Sequence, residues 1–474
     1  MQRFDAVVVG SGPNGLGAAI TLARAGRSVC VVEGAPSIGG GMRSGELTLP
    51  GFIHDECSAV HPLAASSPLL RRLPLSRHGL EWAHPQTPLA HVFDDGSAVT
   101  LERSVVDTLA QFPGDEDKYS RLFEPLLQRW PALSAEIFRP IVHLPRHPVL
   151  LARFGLPSLR SASGLARAQF RDERLQAMFA GCAGHAILPL DAKLTASFGM
   201  VLAIAAHAVG WPVVRGGSQR LADALADYLR SLGGVIETER PITRLDQLPP
   251  HRVVLFDLAP ERLVDVCGTT LPQRYRQHLM HFKRGEAVFK LDFALSAPIP
   301  WRDPACRRAG TVHLGGNLSQ MVRAERDVAS GVVPDEPFVL LSQPSLFDPS
   351  RAPEGQHTVW AYCHVPRASD IDATEAVIRR IESAAPGFRD LILAHTASKP
   401  RDFEAMNPNL VDGDITGGSN RGLQLFFRPT LSLSPYRTPA RGVYICSAST
   451  PPGGGVHGMA GYWAAKAALG RELR

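Results

Sequence analysis

Cysteine is scarce and scattered in this sequence, at positions 30, 57, 182, 267, 306, 363 and 446 of 474. None stands in a Cys-x-x-Cys pair or with histidine at metal-ligand spacing, and the number is odd. A disulfide framework and a metal site are therefore not expected, and the thiols read as free in a reducing cytoplasm. Charge of one sign is lacking too. A net charge of +5 over this length, with no basic cluster interleaved with aromatics, argues against a nucleic-acid partner. No Gly-x-Ser-x-Gly elbow marks a serine nucleophile. Long apolar runs are missing: the most apolar stretch, 195–214, contains His207, Gly210 and Pro212 and reads as a buried helix rather than a membrane span. The first residues show no charged segment followed by an apolar core and a cleavage site. There is no internal repeat or low-complexity tract.

What is present begins at once. Phe4–Val9 is an apolar run of strand composition, followed by Gly10-Ser11-Gly12-Pro13-Asn14-Gly15, a helical stretch to Ala25, and a second strand ending in Glu33. Gly10 permits the tight turn, Gly12 lets a pyrophosphate approach the backbone, and Gly15 lets the helix pack closely on the sheet. The helix start offers N–H groups to phosphate, and Glu33 stands where a ribose diol is held. With both strands and the acid in place, this is a specific dinucleotide signature. No second copy of it marks a nicotinamide domain.

NAD and FAD share that signature, and three further stretches separate them. After Glu33 come Gly39-Gly40-Gly41-Met42-Arg43-Ser44; glycine suits a loop whose backbone touches a cofactor, and Arg43 offers a planar donor fork. Near the other end, Gly442–Cys446 leads into Ser447–Thr450, Pro451-Pro452-Gly453-Gly454-Gly455-Val456-His457-Gly458 and a helix from Met459. Mid-chain, Arg215-Gly216-Gly217 precedes a helix to Leu232, then a strand and Pro241-Ile242.

Together, in this order, these motifs resemble the phytoene desaturase-type FAD-dependent oxidoreductases of the amine oxidase and carotenoid desaturase superfamily. The stretches Pro50–Pro62, Phe289–Leu295, Ile299–Trp301, Asn407-Pro408 and Arg428-Pro429 are similar to a bacterial branch related to a mitochondrial pyridine nucleotide-disulphide oxidoreductase domain protein. The resemblance implies FAD, bound by Gly10, Gly12, Pro13, Asn14, Gly15, Glu33, Gly39 to Ser44, Ile242, Ser449 and Gly455 to Met459. It implies that Ile242 meets the adenine through its backbone, and that the N–H groups of Val456–Met459 meet the flavin's pyrimidine edge. The sequence departs from the family's C-terminal pattern at Pro451, where a histidine is usual, and the hairpin usual after Ile242 is shortened to 243–252.

At this length two domains are expected, within an α/β fold. A discontinuous Rossmann-type FAD-binding domain is assigned to 1–75, 213–275 and 430–474. A second, α+β substrate domain of mixed sheet and covering helices takes 76–212 and 276–429. Helices are expected over 117–138, 160–179, 195–209 and 373–384, and strands around 89–99, 287–293, 338–343 and 357–364. Residues 133–170 mix apolar groups (Phe138, Ile141, Leu150, Phe154) with arginines such as Arg146 and Arg153. They read either as a portal or peripheral membrane contact or as amphipathic core helices; the latter is favoured.

A flavin enzyme needs a hydride path and, for the second proton, an acid or base. His61 is the first candidate, because the segment after Gly39-Gly40 runs towards the flavin. His54 with Asp55 comes next, then His457. The expected activity is hydride transfer between FAD and a hydrophobic, unsaturated or alicyclic substrate, with an unidentified electron acceptor. The alternatives are a redox-neutral isomerase on the same fold, and a flavin-binding interaction protein without turnover.

Overall fold

The computed structural model describes residues 2–140 and 142–474; Ile141 lies outside them. Two sheets organise the chain. The first has five parallel strands in the order Val443–Ile445, His251–Phe256, Phe4–Val9, Val29–Val32, Val235–Glu237. Its central strand is flanked on both sides, with Val8 opposite Val31 and Leu255. Such a strand is buried on both faces, which is why Phe4–Val9 reads as a continuous apolar run rather than an alternating one. Every strand of this sheet falls within the three stretches assigned to nucleotide binding. The shortened hairpin after Ile242 is reduced to a single turn at Leu245–Gln247.

One face of this sheet carries the helices Pro13–Ala23, Gln219–Ser231 and Met459–Leu469. The first and last of these cross so closely that side chains are excluded at the contact. A Cβ on Gly17 would lie 2.6 Å from Gly458 O, and one on Gly461 would lie 1.7 Å from Asn14 O. The tail helix thus docks on the helix of the nucleotide turn, and the two ends of the fold share one core.

The second sheet has seven strands, in the order Ile392–Ser398, Ala287–Leu295, His357–Val365, Val339–Ser342, Ala309–Leu314, Thr87–Val92, Ala98–Leu101. Its pairs are antiparallel except Ala309–Leu314 with Thr87–Val92, so the sheet is mixed. The strand Ala287–Leu295 alternates as a sheet covered on both faces requires. Phe289, Leu291 and Phe293 pack with Val377 and Ile381 of the helix Thr374–Ala384, and Val288 faces the helical layer on the opposite side.

That layer is cut more finely than periodicity alone predicts. The expected helix 117–138 divides into Glu116–Leu127 and Trp130–Ile137, because Pro131 lacks the N–H needed to continue the first. The expected helix 160–179 divides into Ala162–Gln169 and Glu173–Gly184. Asp172 caps the second through Arg174 N, and the buried Asp115 carboxylate takes the N–H groups of Arg171 and Asp172 at the break. The apolar helix Thr195–Ala208 is buried among these neighbours. No helix among the described residues is long and apolar enough to cross a membrane. Within 133–170, Leu133, Leu150 and Phe154 enter the core, while Leu144, Val149 and Leu156 stand in solvent.

Candidate functional site

The C-terminal ends of the parallel strands open on a cavity of about 1410 Å³. This exceeds the roughly 300–1000 Å³ of an ordinary ligand pocket, so it has room for a cofactor and a second molecule. Three distant stretches of chain converge on it: Val9–Asn14 with Val32–Pro36, Arg240–Thr243, and Ser447–Ser449 with Pro452–His457.

At one end lies a cradle for phosphate and ribose. Gly12 is the cap of the helix Pro13–Ala23 and has no side chain to close it; Pro13 has no N–H and Asp257 Oδ2 takes the Gly15 N–H, which leaves the Asn14 N–H of the first turn to an anion. The glycines are dictated by crowding. A Cβ on Gly12 would lie 2.7 Å from Asp257 Oδ2, and one on Gly15 would lie 2.1 Å from Gly10 O. Glu33 is fixed by the N–H groups of Ser11 and Ala35 and by the Ser11 hydroxyl, so its carboxylate is oriented at the cavity wall before any diol arrives. Ile242 and Arg240 wall the far end. These features fit the adenosine diphosphate half of FAD.

Gly453, Gly454, Gly455, Val456 and His457 line the cavity where the flavin half would follow, with Ser449 beside them. The loop is propped from behind. Buried Arg428 donates to Asn420 Oδ1 and to Gly417 O, and the Tyr436 hydroxyl donates to Pro451 O. Across from this loop, Gly40, Gly41 and Arg43 form the opposite wall. Arg43 donates to Gly40 O and Met406 O and pairs with Glu56, so its fork is largely committed to protein partners.

The same cavity has an apolar part, here called the chamber, lined by Phe154, Leu159, Phe198, Val201, Leu202 and Leu340, with Trp211 and Trp360. Helices Pro148–Ser158 and Thr195–Ala208 form one wall and the mixed sheet forms the floor.

The remaining sequence-predicted residues fall into two groups. Gly15, Gly39, Met42, Ser44, Gly458 and Met459 stand behind the cavity lining and shape it. Met42 is core, and Ser44 joins Asp55 to Gln219 N. The Met459 N–H is taken by His457 Nδ1, so it is not free for a flavin edge; this corrects the expectation for that residue.

Two of the four acid–base candidates are corrected more sharply. His54 and Asp55 do not reach the cavity. Asp55 is buried against the Arg351 guanidinium and accepts from Ser44 Oγ and Ser218 N. His54 bonds Thr48 and faces Asp292 Oδ1 at 3.6 Å. Burial, and then the Lys290 charge, hold its imidazole down at about 3. His457 lines the cavity, but both ring nitrogens serve the loop, Nδ1 to Met459 N and Nε2 to Gly453 O. His61 lines it also, with Nε2 2.7 Å from Ser218 Oγ and Nδ1 buried without a partner; burial is the main cause that holds it at about 4. His54 and Asp55 thus belong to the scaffold, whereas His61 and His457 line the cavity and His61 keeps one ring nitrogen without a protein partner.

Two cavity residues escaped the sequence reading. Asp257, after the strand His251–Phe256, sits in the phosphate cradle. His185, at the C-terminal end of the helix Glu173–Gly184, looks into the chamber. Asp257 carried a signal, an acid at the end of a Rossmann strand; a lone histidine after Ala183-Gly184 carried none.

The comparisons with known proteins agree with this geometry. The profile described as FAD dependent oxidoreductase matches residues 5–266. The chain is 28% identical to pyridine nucleotide-disulfide oxidoreductase domain-containing protein 2 of Mus musculus, across 100% of this chain and 94% of that protein. It is 24% identical to 4,4'-diapolycopen-4-al dehydrogenase of Metabacillus indicus, across 95% of this chain and 93% of that protein. Among solved structures, an oxidoreductase from Methanosarcina mazei shares the fold with a TM-score of 0.66 at 16% identity, over 99% of this chain and 100% of that one. The profile spans more than half of the sequence and the matched residues include the cradle's glycine turn, so the chain belongs to the FAD-dependent oxidoreductases.

Proposed function

We propose that this protein is a dehydrogenase of desaturase type, transferring a hydride between FAD and a carbon of a hydrophobic, unsaturated or alicyclic substrate. The observation that carries the reading is the continuity of the cavity: the glycine loop Gly453–His457 and a set of apolar side chains line one and the same cavity. When bound, FAD supplies the hydride acceptor; the protein supplies position, charge and dryness. Phe154, Phe198 and Leu202 exclude water from the reacting face, and Glu33 with the Gly10–Gly15 turn anchors the cofactor's other end. Leu159 both lines the chamber and is exposed, and Leu156 stands in solvent near it on the same segment. That arrangement supports an apolar route into the chamber and, at its lip, contact with a lipid surface.

The test is anaerobic titration of the FAD-loaded protein with an alicyclic monoterpene, a C30 polyene and putrescine. Bleaching of the flavin's visible band by an apolar compound is expected. Reduction by putrescine alone would reject the reading.

A further inference from the structure

Four histidines cluster under the chamber, on elements no nucleotide motif touches. His91 and His313 are opposite one another on the parallel pair Thr87–Val92 and Ala309–Leu314. His185 lies one helical turn after Gly181. His364, on the next strand but one, is bound to Glu325 at 2.8 Å. No set of three His, Cys, Asp or Glu among the described residues is disposed to hold a metal, so the cluster needs another account.

The hydrogen bonds constrain where the protons sit. His91 Nε2 is 2.8 Å from Gly316 O, and a carbonyl only accepts, so His91 carries its proton on Nε2 and its Nδ1 is an acceptor. That Nδ1 and His313 Nδ1 are both buried without a partner. Both converge on the space above Gly181, where a Cβ would lie 2.6 Å from His313 Nδ1 and 3.0 Å from His91 Nδ1. His91 Nδ1 and His313 Nδ1 make no hydrogen bond to each other, but a proton on His313 Nδ1 sets opposite rather than like partial charges across that gap. His313 Nε2 is then an acceptor. It lies 3.1 Å from His185 Nε2, which must donate. His185 is left with an unprotonated Nδ1, which has no protein partner, on a half-buried ring lining the chamber. Burial keeps His185 at about 3, His91 at about 4 and His313 well below its usual value, so all three rings are neutral near pH 7.

We infer that His185 Nδ1 is the polar anchor of the chamber, a hydrogen-bond acceptor fixed in its tautomer by His313 and His91, and that the substrate is an apolar molecule bearing one hydroxyl or amine donor. His313 and His91 are positioning residues. Gly181 is glycine because the chain of rings crosses its Cα. The inference rests on the proposed reading of the chamber as the substrate site, and narrows it from a bare hydrocarbon to a donor-bearing one. Asn420 donates to Ala186 O at 3.5 Å and accepts from Arg428, which underpins Gly453, so the anchor is coupled to the flavin loop.

Two measurements test it. Calorimetric titration of the FAD-loaded protein with 1-naphthol and 1-methoxynaphthalene compares one ring with and without the donor. The naphthol is expected to bind about three- to tenfold tighter. His185→Phe should remove that preference by weakening the naphthol alone, and Gly181→Ala should reduce it by displacing His313. Spectra of the 15N-histidine-labelled protein should show His185 and His91 protonated at Nε2 and His313 at Nδ1. A preference that survives His185→Phe, or a His185 protonated at Nδ1, overturns the inference. Equal binding of both probes overturns it while leaving the apolar chamber standing; failure of both to bind removes both.

Discussion

Asp257 Oδ2 accepts the Gly15 N–H at 2.7 Å, inside the turn that is to hold two phosphates. Burial pushes this carboxyl up to about 7 against the opposing Gly15 bond, and the Glu33 charge adds to the rise. The folded protein therefore holds the Asp257 proton more tightly than the unfolded chain does, and stability falls as pH rises from about 4 to about 7. Asp257→Asn keeps the acceptor for Gly15 and cannot ionise. Its flavin-free form should melt above the wild type at pH 8, with the gap narrowing towards pH 4; a tenfold difference in proton affinity between folded and unfolded chain is worth about 1.4 kcal/mol. It should also hold FAD more tightly at pH 8, measured by flavin fluorescence. A gap independent of pH would show that the charge plays no part.

The crossing of the first and last helices sets a second expectation. Gly461→Ala places a methyl where Asn14 O already sits. Overpacking of a rigid contact costs about 1–3 kcal/mol, and here the displaced atom is backbone, so the upper end is expected. Denaturant midpoints will report it. FAD retention should fall in parallel, because Asn14 belongs to the nucleotide turn. Gly155→Ala, where a Cβ meets nothing within 4 Å, should not destabilise the helix Pro148–Ser158.

Asp55 separates scaffolding from catalysis. With Arg351 it forms a fully buried ion pair, and Asp348 lies on the far side of the guanidinium. Removing one partner of such a pair costs about 3–5 kcal/mol. Asp55→Ala and Arg351→Ala should each destabilise the protein by that order, and the double variant by much less than the sum. A catalytic Asp55 would predict the opposite pattern, lost turnover in a protein of normal stability.

Neutral buried histidines make the fold sensitive to acid. His54, His61 and His457 are held at about 3, 4 and 4, chiefly by burial. The unfolded chain binds their protons first, so their contribution is complete above the ordinary imidazole pKa of about 6.5 and is lost as pH falls towards 4. Each adds up to about 1.4 kcal/mol per pH unit to the slope of stability. His61→Gln should flatten that slope between pH 6.5 and 4.5 by about one proton; an unchanged slope would mean that His61 is solvated in the folded state.

The cofactor side of this molecule was legible because its chemistry is local. Gly10, Gly12 and Glu33 act through backbone shape within one βα unit, and their spacing survives translation into sequence. For Asp55 and His54 the catalytic reading fails for the converse reason. Asp55 meets Arg351 and Ser218, and His54 meets Asp292, across separations no pattern reveals. A histidine near a glycine loop looks reactive until its nitrogens are accounted for, as His457 shows. His185 was invisible because its partner, His313, stands on a strand 128 residues away. The divided helices at 128–129 and 170–172 were missed for a simpler reason: the apolar period runs through both breaks, and only Pro131 and the Asp172 cap announce them.

The edge strand Val443–Ile445 pairs with His251–Phe256, and the helix after it seals the turn formed by residues near the other end of the fold. During synthesis, then, the yellow prosthetic group has no finished berth until nearly all of the described chain has left the ribosome. A messenger cut short before that strand would yield a polypeptide bearing an intact glycine fingerprint without the wall that Ser447–His457 supply, so a firm hold on the flavin waits for that segment.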